Sequence, residues 1–398
     1  MSQRNILLIT IIRFAQSFHL YIHVYALILL NRGLNLFQIT TIESIVIGTI
    51  FVMEVPTGII ADRIGRKWSI IASTLFMMFA EFLFLFANSY PMYIIVAILT
   101  GTGFAFASGA IEATVYDSLP EENRDDLMKR AMGRINSWSG IAFFIAPLVG
   151  AFIIADGSPN NYTVAIALTV IALVIGLLIS LFLEEPPTDW DAERTSSLDI
   201  FKEGIAEVRD NPTLKRLIAL IIFSTPFTAT LVVTLAAPHL TNNGTDPFFV
   251  GIALSIGSLL AAITQHYAYK VEEWLGQRTA IWVLLLLPAV LYGFLAIAVG
   301  PIAPVLVIII MYATNDMKAP LFSAYQNSLI GSKNRATVLS IISMFGSLFV
   351  AVVAPIYAAI GTISLPITFV VMGAVIAIAT FLIGIPELNT QGQNTHTI

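Results

Sequence analysis

Cysteine is absent from all 398 residues, which excludes disulfide staples, a thiolate nucleophile and any Cys-ligated metal site. Charge is scarce: Asp, Glu, Lys and Arg make up 11%, against about a quarter in soluble domains. Water is not the solvent for most of such a surface, so neither a soluble enzyme nor a nucleic-acid binder fits. No Walker loop, HExxH motif or deaminase signature occurs, which leaves ATP hydrolysis and metal chemistry unsupported and predicts no cofactor. What abounds is apolar. Hydrophobic residues form 57% of the chain, and the sequence reads as a polytopic membrane protein. The net charge of −5 says little about partners, because many acids crowd one central loop.

A spanning helix needs about 20 mainly apolar residues, rising about 1.5 Å each across about 30 Å of hydrocarbon. Such segments fall at roughly 5–30, 37–58, 68–87, 91–118, 131–155, 162–183, 215–240, 248–268, 279–299, 305–329, 336–360 and 366–385. These are long continuous runs, unlike the short alternating strands of a β-barrel. The expected fold is all-α, with twelve transmembrane helices. The first is not a cleaved signal peptide: it is too long, Arg13 interrupts it, and no small-residue cleavage site precedes Asn31 and Arg32.

Lys and Arg set the orientation. Arg63, Arg66 and Lys67, then Arg124, Lys129 and Arg130, then Arg194, Lys202, Arg209, Lys215 and Arg216, then Lys270, Arg278, Lys333 and Arg335 all fall on one side. The opposite connections hold only Arg32. Both termini are therefore expected in the cytoplasm, with the chain in the inner or plasma membrane.

The polar stretch from Glu184 to Asn211 divides the chain into a six-helix bundle over 1–183, a cytoplasmic loop over 184–213 and a second bundle over 214–398. Leu198, Phe201, Ile205 and Val208 recur at helical spacing within the loop, predicting a short amphipathic helix on the membrane surface or a solvated linker helix. The halves also resemble each other. Ala61-Asp62-Arg63-Ile64-Gly65-Arg66-Lys67 matches Glu273-Trp274-Leu275-Gly276-Gln277-Arg278; Tyr116-Asp117-Ser118-Leu119 matches Tyr325-Gln326-Asn327-Ser328-Leu329; Ala146-Pro147 matches Ala354-Pro355. Parallel six-helix repeats are a transporter architecture, with the binding site near the midplane between halves.

The run Gly58-Ile59-Ile60-Ala61-Asp62-Arg63-Ile64-Gly65-Arg66-Lys67 resembles the loop signature of the major facilitator superfamily, G-x-x-x-D-R-x-G-R-K. The resemblance implies that Gly58, Asp62, Arg63, Gly65, Arg66, Lys67 and Asp117 form a conformational latch between the halves on the cytoplasmic side, with Arg66 pairing Asp117. Physically, Gly58 and Gly65 suit close backbone approach or a turn, and Asp62 suits the positive end of a neighbouring helix. In the second copy Gln277 replaces the arginine, and Gln326 and Asn327 replace the acid. Ala146-Pro147-Leu148-Val149-Gly150-Ala151 is similar to the G-P-x-x-G-G motif of family antiporters, although a kink at Pro147 explains the same residues. Ala97 stands where family drug/proton antiporters usually carry an arginine. The resemblance also implies a monomer.

Intramembrane polar groups are costly, so each is a candidate that needs a partner. Arg13, Gln16, His19 and His23 share one face of span 1, which lines the central cavity in the family; the stripe is expected to face water and ligand. Glu54 in span 2 either braces the latch or carries protons. Glu112 in span 4 either titrates or pairs with Arg134 or Arg13. Glu43 is expected to be hydrated, and Glu81 to be a protonated or paired structural acid. Asp316 and Lys318 in span 10, two residues apart, point to different faces and are candidates for substrate or proton coupling. The reading is a secondary active transporter, not an enzyme, exporting small amphipathic compounds or metabolites in exchange for protons by alternating access. Its partners are a small-molecule substrate, the proton and the lipid bilayer. Two alternatives stay open: a proton-coupled importer of a small organic anion clamped by Arg13 and Lys318, or a sensor or scaffold on a transporter fold.

Overall fold

The computed structural model describes residues 2–185, 205–224, 234–315, 317–330 and 335–385, excepting the side chains of Ser2, Asp62, Ser224, Ser328, Ala336 and Thr337. Asp316, the side chain of Asp62, and Leu198 and Phe201 of the loop motif thus lie outside the described residues. Every regular element described is helical.

Among the described residues, eleven helices are long and apolar enough to cross a membrane: Gln3–Asn31, Leu36–Ala61, Arg66–Phe86, Tyr90–Asp117, Arg124–Ile153, Pro159–Ser180, Pro247–His266, Gln277–Ile297, Ala303–Asn327, Val338–Ile363 and Leu365–Ile383. Pro212–Ser224 and Ala236–Asn242 are the described ends of the remaining segment, seventh in order. These are spans 1 to 12 below. Local chemistry sets several boundaries. Asn35 Oδ1 accepts from Gln38 N at 2.9 Å while Gln38 Oε1 accepts from Asn35 N at 3.0 Å, a reciprocal cap that starts span 2. Asp246 caps span 8 by accepting from Phe248 N at 2.9 Å, and Pro247 takes the first helical position, where no N–H is needed.

The repeat is visible in the backbone. Gly33 and Gly244 turn the chain at φ of 88° and 85° after spans 1 and 7; Gly65 and Gly276 do so at 98° and 73° after spans 2 and 8. Both pairs share the same sequence offset. The chain forms two pseudo-symmetric six-helix bundles.

Spans 1 and 4 differ from the continuous helices expected. Span 1 consists of Ser2–Ser17, a single 3-10 turn Ile22–Val24, and Tyr25–Asn31. Span 4 stops at Ala107 and restarts at Ala110, with Gly109 at φ 73°. Broken backbone at membrane depth is tolerated only where it is buried in protein or lines a cavity. Pro147, by contrast, sits inside the uninterrupted helix Arg124–Ile153.

The apolar core is lopsided. At the end poor in basic residues, one buried cluster joins the halves: Leu20, Val24, Ile39, Phe84, Tyr93, Ala146 and Ile154 pack into one body with Leu235, Val250, Tyr292, Tyr357 and Phe369. At the basic end the clusters are separate. Ile9, Ile70, Val115 and Ile135 belong to the first half; Leu217, Leu285 and Phe322 form one group in the second, and Leu214, Ile218 and Val338 another. Val208 of the loop motif packs with the last group. The molecule is sealed at the basic-poor end and parted at the basic end.

Candidate transport cleft

Among the described residues, two clefts lie between the halves toward the parted end. The larger, about 810 Å³, lies between spans 5 and 8 and is also lined by Ile22 and Tyr312. Its walls are Ile141, Phe143, Phe144, Pro147, Leu254 and Leu259, relieved by the amides and hydroxyls of Asn136, Ser137, Ser258 and Gln265. No ionisable acid or base other than the Tyr312 phenol is among these lining residues. Large apolar surface with a few neutral hydrogen-bonding groups suits an amphipathic molecule. The smaller, about 200 Å³, lies between spans 2 and 11, where Glu54 shares the wall with Ser340, Ser343 and Ser347.

The span 1 stripe does not line the larger cleft. Arg13 Nη1 donates to Gln16 Oε1 at 3.3 Å. Gln16 is buried, and its amide nitrogen donates to Ser73 Oγ at 3.3 Å and Thr74 Oγ1 at 3.0 Å in span 3. His19 Nδ1 lies 3.4 Å from Glu81 Oε1 in span 3. Gln16 and His23 are buried and Arg13 and His19 half-buried, so the expectation that this face meets water and ligand is corrected for Gln16 and His23, while Leu7 and Ile11 on another face are exposed. The reason is that span 3 supplies hydroxyls to Gln16 and a carboxylate to His19, while Arg13 turns back on Gln16.

His23 is buried at the seal, with neither ring nitrogen hydrogen-bonded. It sits against glycines from both halves. A β-carbon on Gly150 would meet His23 Cε1 at 2.9 Å and overlap the Leu20 carbonyl; one on Gly251 would meet His23 Cδ2 at 3.0 Å and Pro147 O at 2.8 Å. Glu43 is not simply hydrated: Thr234 Oγ1 of span 7 donates to its Oε1 at 2.9 Å, a second link between the halves. Glu112 is exposed, as is Arg134, and no ion pair joins Glu112 to Arg134 or Arg13. Lys318 is buried.

At the basic end, Arg66 Nη1 donates to the Asp117 carboxylate and, at 2.9 Å, to Ala113 O. Gly65 makes the turn, as its φ of 98° requires. Gly58 is different from expectation: nothing lies within 4 Å of where its β-carbon would be, because the halves are apart here. Arg63 is exposed and Lys67 Nζ lies 5.8 Å from the Trp68 ring centre. Sequence reasoning missed Glu185. Its Oε1 accepts from Arg66 N at 2.7 Å and its Oε2 from Lys67 N at 2.9 Å, so the first residue pair of the central loop caps span 3. Arg4 pairs with Glu184, and Asn5 Nδ2 donates to Glu184 O at 2.9 Å. The Glu184-Glu185 pair before two prolines was the available signal.

This turn yields a prediction. Gly65→Ala is expected to lower thermal stability more than Glu185→Ala in a melting assay on purified protein. The first forces φ of 98° on an L side chain and drives its methyl to 2.7 Å from Glu185 Oε2; the second loses only a cap, about 0.5–2 kcal/mol. Equal shifts would show that Glu185, not the turn, carries the effect.

Comparison with known proteins agrees with this geometry. The chain is 25% identical over 341 residues to the uncharacterized MFS-type transporter YxaM of Bacillus subtilis (strain 168), covering 82% of this chain and 81% of that protein. It is 25% identical over 296 residues to multidrug resistance protein 2 of the same organism, covering 72% of each. Among solved structures, a bacterial homologue of the human lysosomal transporter Spinster, in an inward-facing and unoccupied conformation, superposes with a TM-score of 0.76 at 15% identity, covering 96% of this chain and 95% of that one. With the family description "Major Facilitator Superfamily" matching residues 6–317 and the two-bundle fold in hand, the chain belongs to the major facilitator superfamily and is a membrane transporter.

Proposed function

We propose that the protein exports small amphipathic compounds in exchange for protons, its halves 1–183 and 214–398 rocking about the cleft between spans 5 and 8. The observation that carries this reading is the chemistry of that cleft: aromatic and aliphatic walls with neutral polar groups. Similarity to a multidrug resistance protein supports the same direction. Lys and Arg crowd the parted end, which in the positive-inside sense is the cytoplasmic one, so the conformation described takes substrate from the cytoplasm. A cytoplasmic location for a reporter fused after Asn160 would overturn that orientation. Arg13, engaged by Gln16 within its own bundle, does not favour an anion clamp.

The test is ethidium accumulation in an efflux-deficient bacterium expressing the protein, with and without a protonophore, beside Asp62→Asn. Expected is lower accumulation in expressing cells, abolished by the protonophore and by the variant. No difference, with membrane insertion confirmed, would overturn export of cationic amphiphiles.

A further inference from the structure

The break in span 1 is held by side chains. In an uninterrupted helix the Gln16 carbonyl would accept the Leu20 N–H. Here His19 Nε2 lies 3.0 Å from Gln16 O, and the Leu20 N–H donates to Thr169 Oγ1 of span 6 at 3.3 Å. The imidazole replaces a backbone donor, and a hydroxyl takes the donor it displaced. Gln16 O can only accept, so Nε2 carries a hydrogen. Nδ1 then faces Glu81 Oε1 at 3.4 Å, while Glu81 Oε2 accepts from the Tyr21 hydroxyl at 2.5 Å.

With Nε2 committed, a bare Nδ1 opposite an ionised carboxylate would set lone pair against lone pair. One proton between them removes the conflict, whether it rests on nitrogen or oxygen. We propose that the His19–Glu81 contact is the site that binds the coupling proton, and that the bound proton holds span 1 in the unwound form that seals the basic-poor end. This rests on the proton-coupled reading above. The link to the seal is short. Leu20, next in the chain, presses its carbonyl on Gly150, and His23 one turn later lies between Gly150 of span 5 and Gly251 of span 8. Loss of the proton to water repels the carboxylate from Nδ1, releases the ring from Gln16 O, and frees Leu20–His23 to leave the seam.

The surroundings leave this pair as the titrating element. Span 1 adds Arg13, bound to Gln16, with Tyr21, His23 and Tyr25. Span 3 adds Arg66 and Lys67 at its far end, span 6 Tyr162, and span 4, packed along span 3, Tyr90 and Tyr93 with Glu112, Tyr116 and Asp117 at its far end. Span 5 brings no ionisable group from Ile135 to Ile153, nor does span 8 from Val250 to Leu254. Glu43 is held by Thr234, and Arg32 donates to Phe84 O at 2.8 Å.

The experiment needs no substrate. Infrared difference spectra of the purified full chain in nanodiscs, taken between mildly acid and mildly alkaline pH, are expected to show a carboxyl and an imidazole change that vanish together in Glu81→Gln and in His19→Gln, and persist in Glu112→Gln. Spin labels at Asn160→Cys and Asn242→Cys, clean because the chain has no cysteine, report the outer ends of the halves. The wild-type ratio of short to long distances is expected to change with pH, by up to about tenfold per unit for one proton. Glu81→Gln, whose amide can donate to Nδ1 without titrating, is expected to stay short at every pH. An imidazole change that survives Glu81→Gln, or a wild-type-like distance response in that variant, overturns the proposal. If wild-type protein moves no substrate under a pH gradient, the coupling reading fails instead, and these two measurements still decide the proton site.

Discussion

Gly150→Ala is expected to abolish transport while leaving the protein inserted in the membrane. The added methyl would overlap the carbonyl oxygen of Leu20, which is backbone and cannot rotate away. Overpacking of this kind costs about 1–3 kcal/mol, and all of it falls on the conformation in which span 1 sits against span 5. A penalty of that size changes the ratio of sealed to unsealed molecules by a factor of about 5–150. Leu36 is buried in the seal, so a cysteine introduced there in the otherwise cysteine-free chain is expected to alkylate faster in Gly150→Ala. Gly251→Ala is expected to act in the same direction, since its methyl would come within 2.7 Å of Ala151 Cβ and 2.8 Å of Pro147 O. Wild-type transport and unchanged alkylation in Gly150→Ala would show that the seam opens elsewhere.

Much of this architecture was legible in the sequence. Apolar length gave the spans, because hydrocarbon thickness leaves little choice of helix length, and the repeated glycines mark real turns. Polar contacts across helices were less legible. Helical spacing put Arg13, Gln16, His19 and His23 on one face, but spacing alone cannot say which neighbour that face meets. Span 3 met it, through Ser73, Thr74 and Glu81. The break in span 1 has no proline or glycine to announce it; it depends on Thr169, about 150 residues away in the chain. Glu185 was hidden for the same reason, since it caps a helix that begins 119 residues earlier. Gly150 and Gly251 were visible as small residues, but only the fold shows that they enclose His23 from opposite halves.

The pair Arg66–Asp117 is expected to be worth more than an exposed ion pair. Its side chains are 23% and 20% exposed, and Arg66 also donates to Ala113 O in the last turns of span 4. Hydrogen bonds to charged groups contribute about 1.5–3 kcal/mol, against about 0–1 kcal/mol for a solvent-exposed pair. Arg66→Ala is therefore expected to lower thermal stability measurably and to slow ethidium export about tenfold. Arg66→Lys is expected to recover only part, because one ammonium cannot reproduce the planar fork that reaches both acceptors. A cycle of Arg66→Ala, Asp117→Ala and the double variant measures the direct coupling, expected within about 0.5–3 kcal/mol. Because this contact lies within one bundle and the halves are parted beside it, its loss is expected to act on the loop that must meet the second half when that end closes. If Arg66→Ala destabilises the protein but leaves the export rate unchanged, the pair only holds spans 3 and 4 together. If the rate falls with stability unchanged, it acts on closure alone.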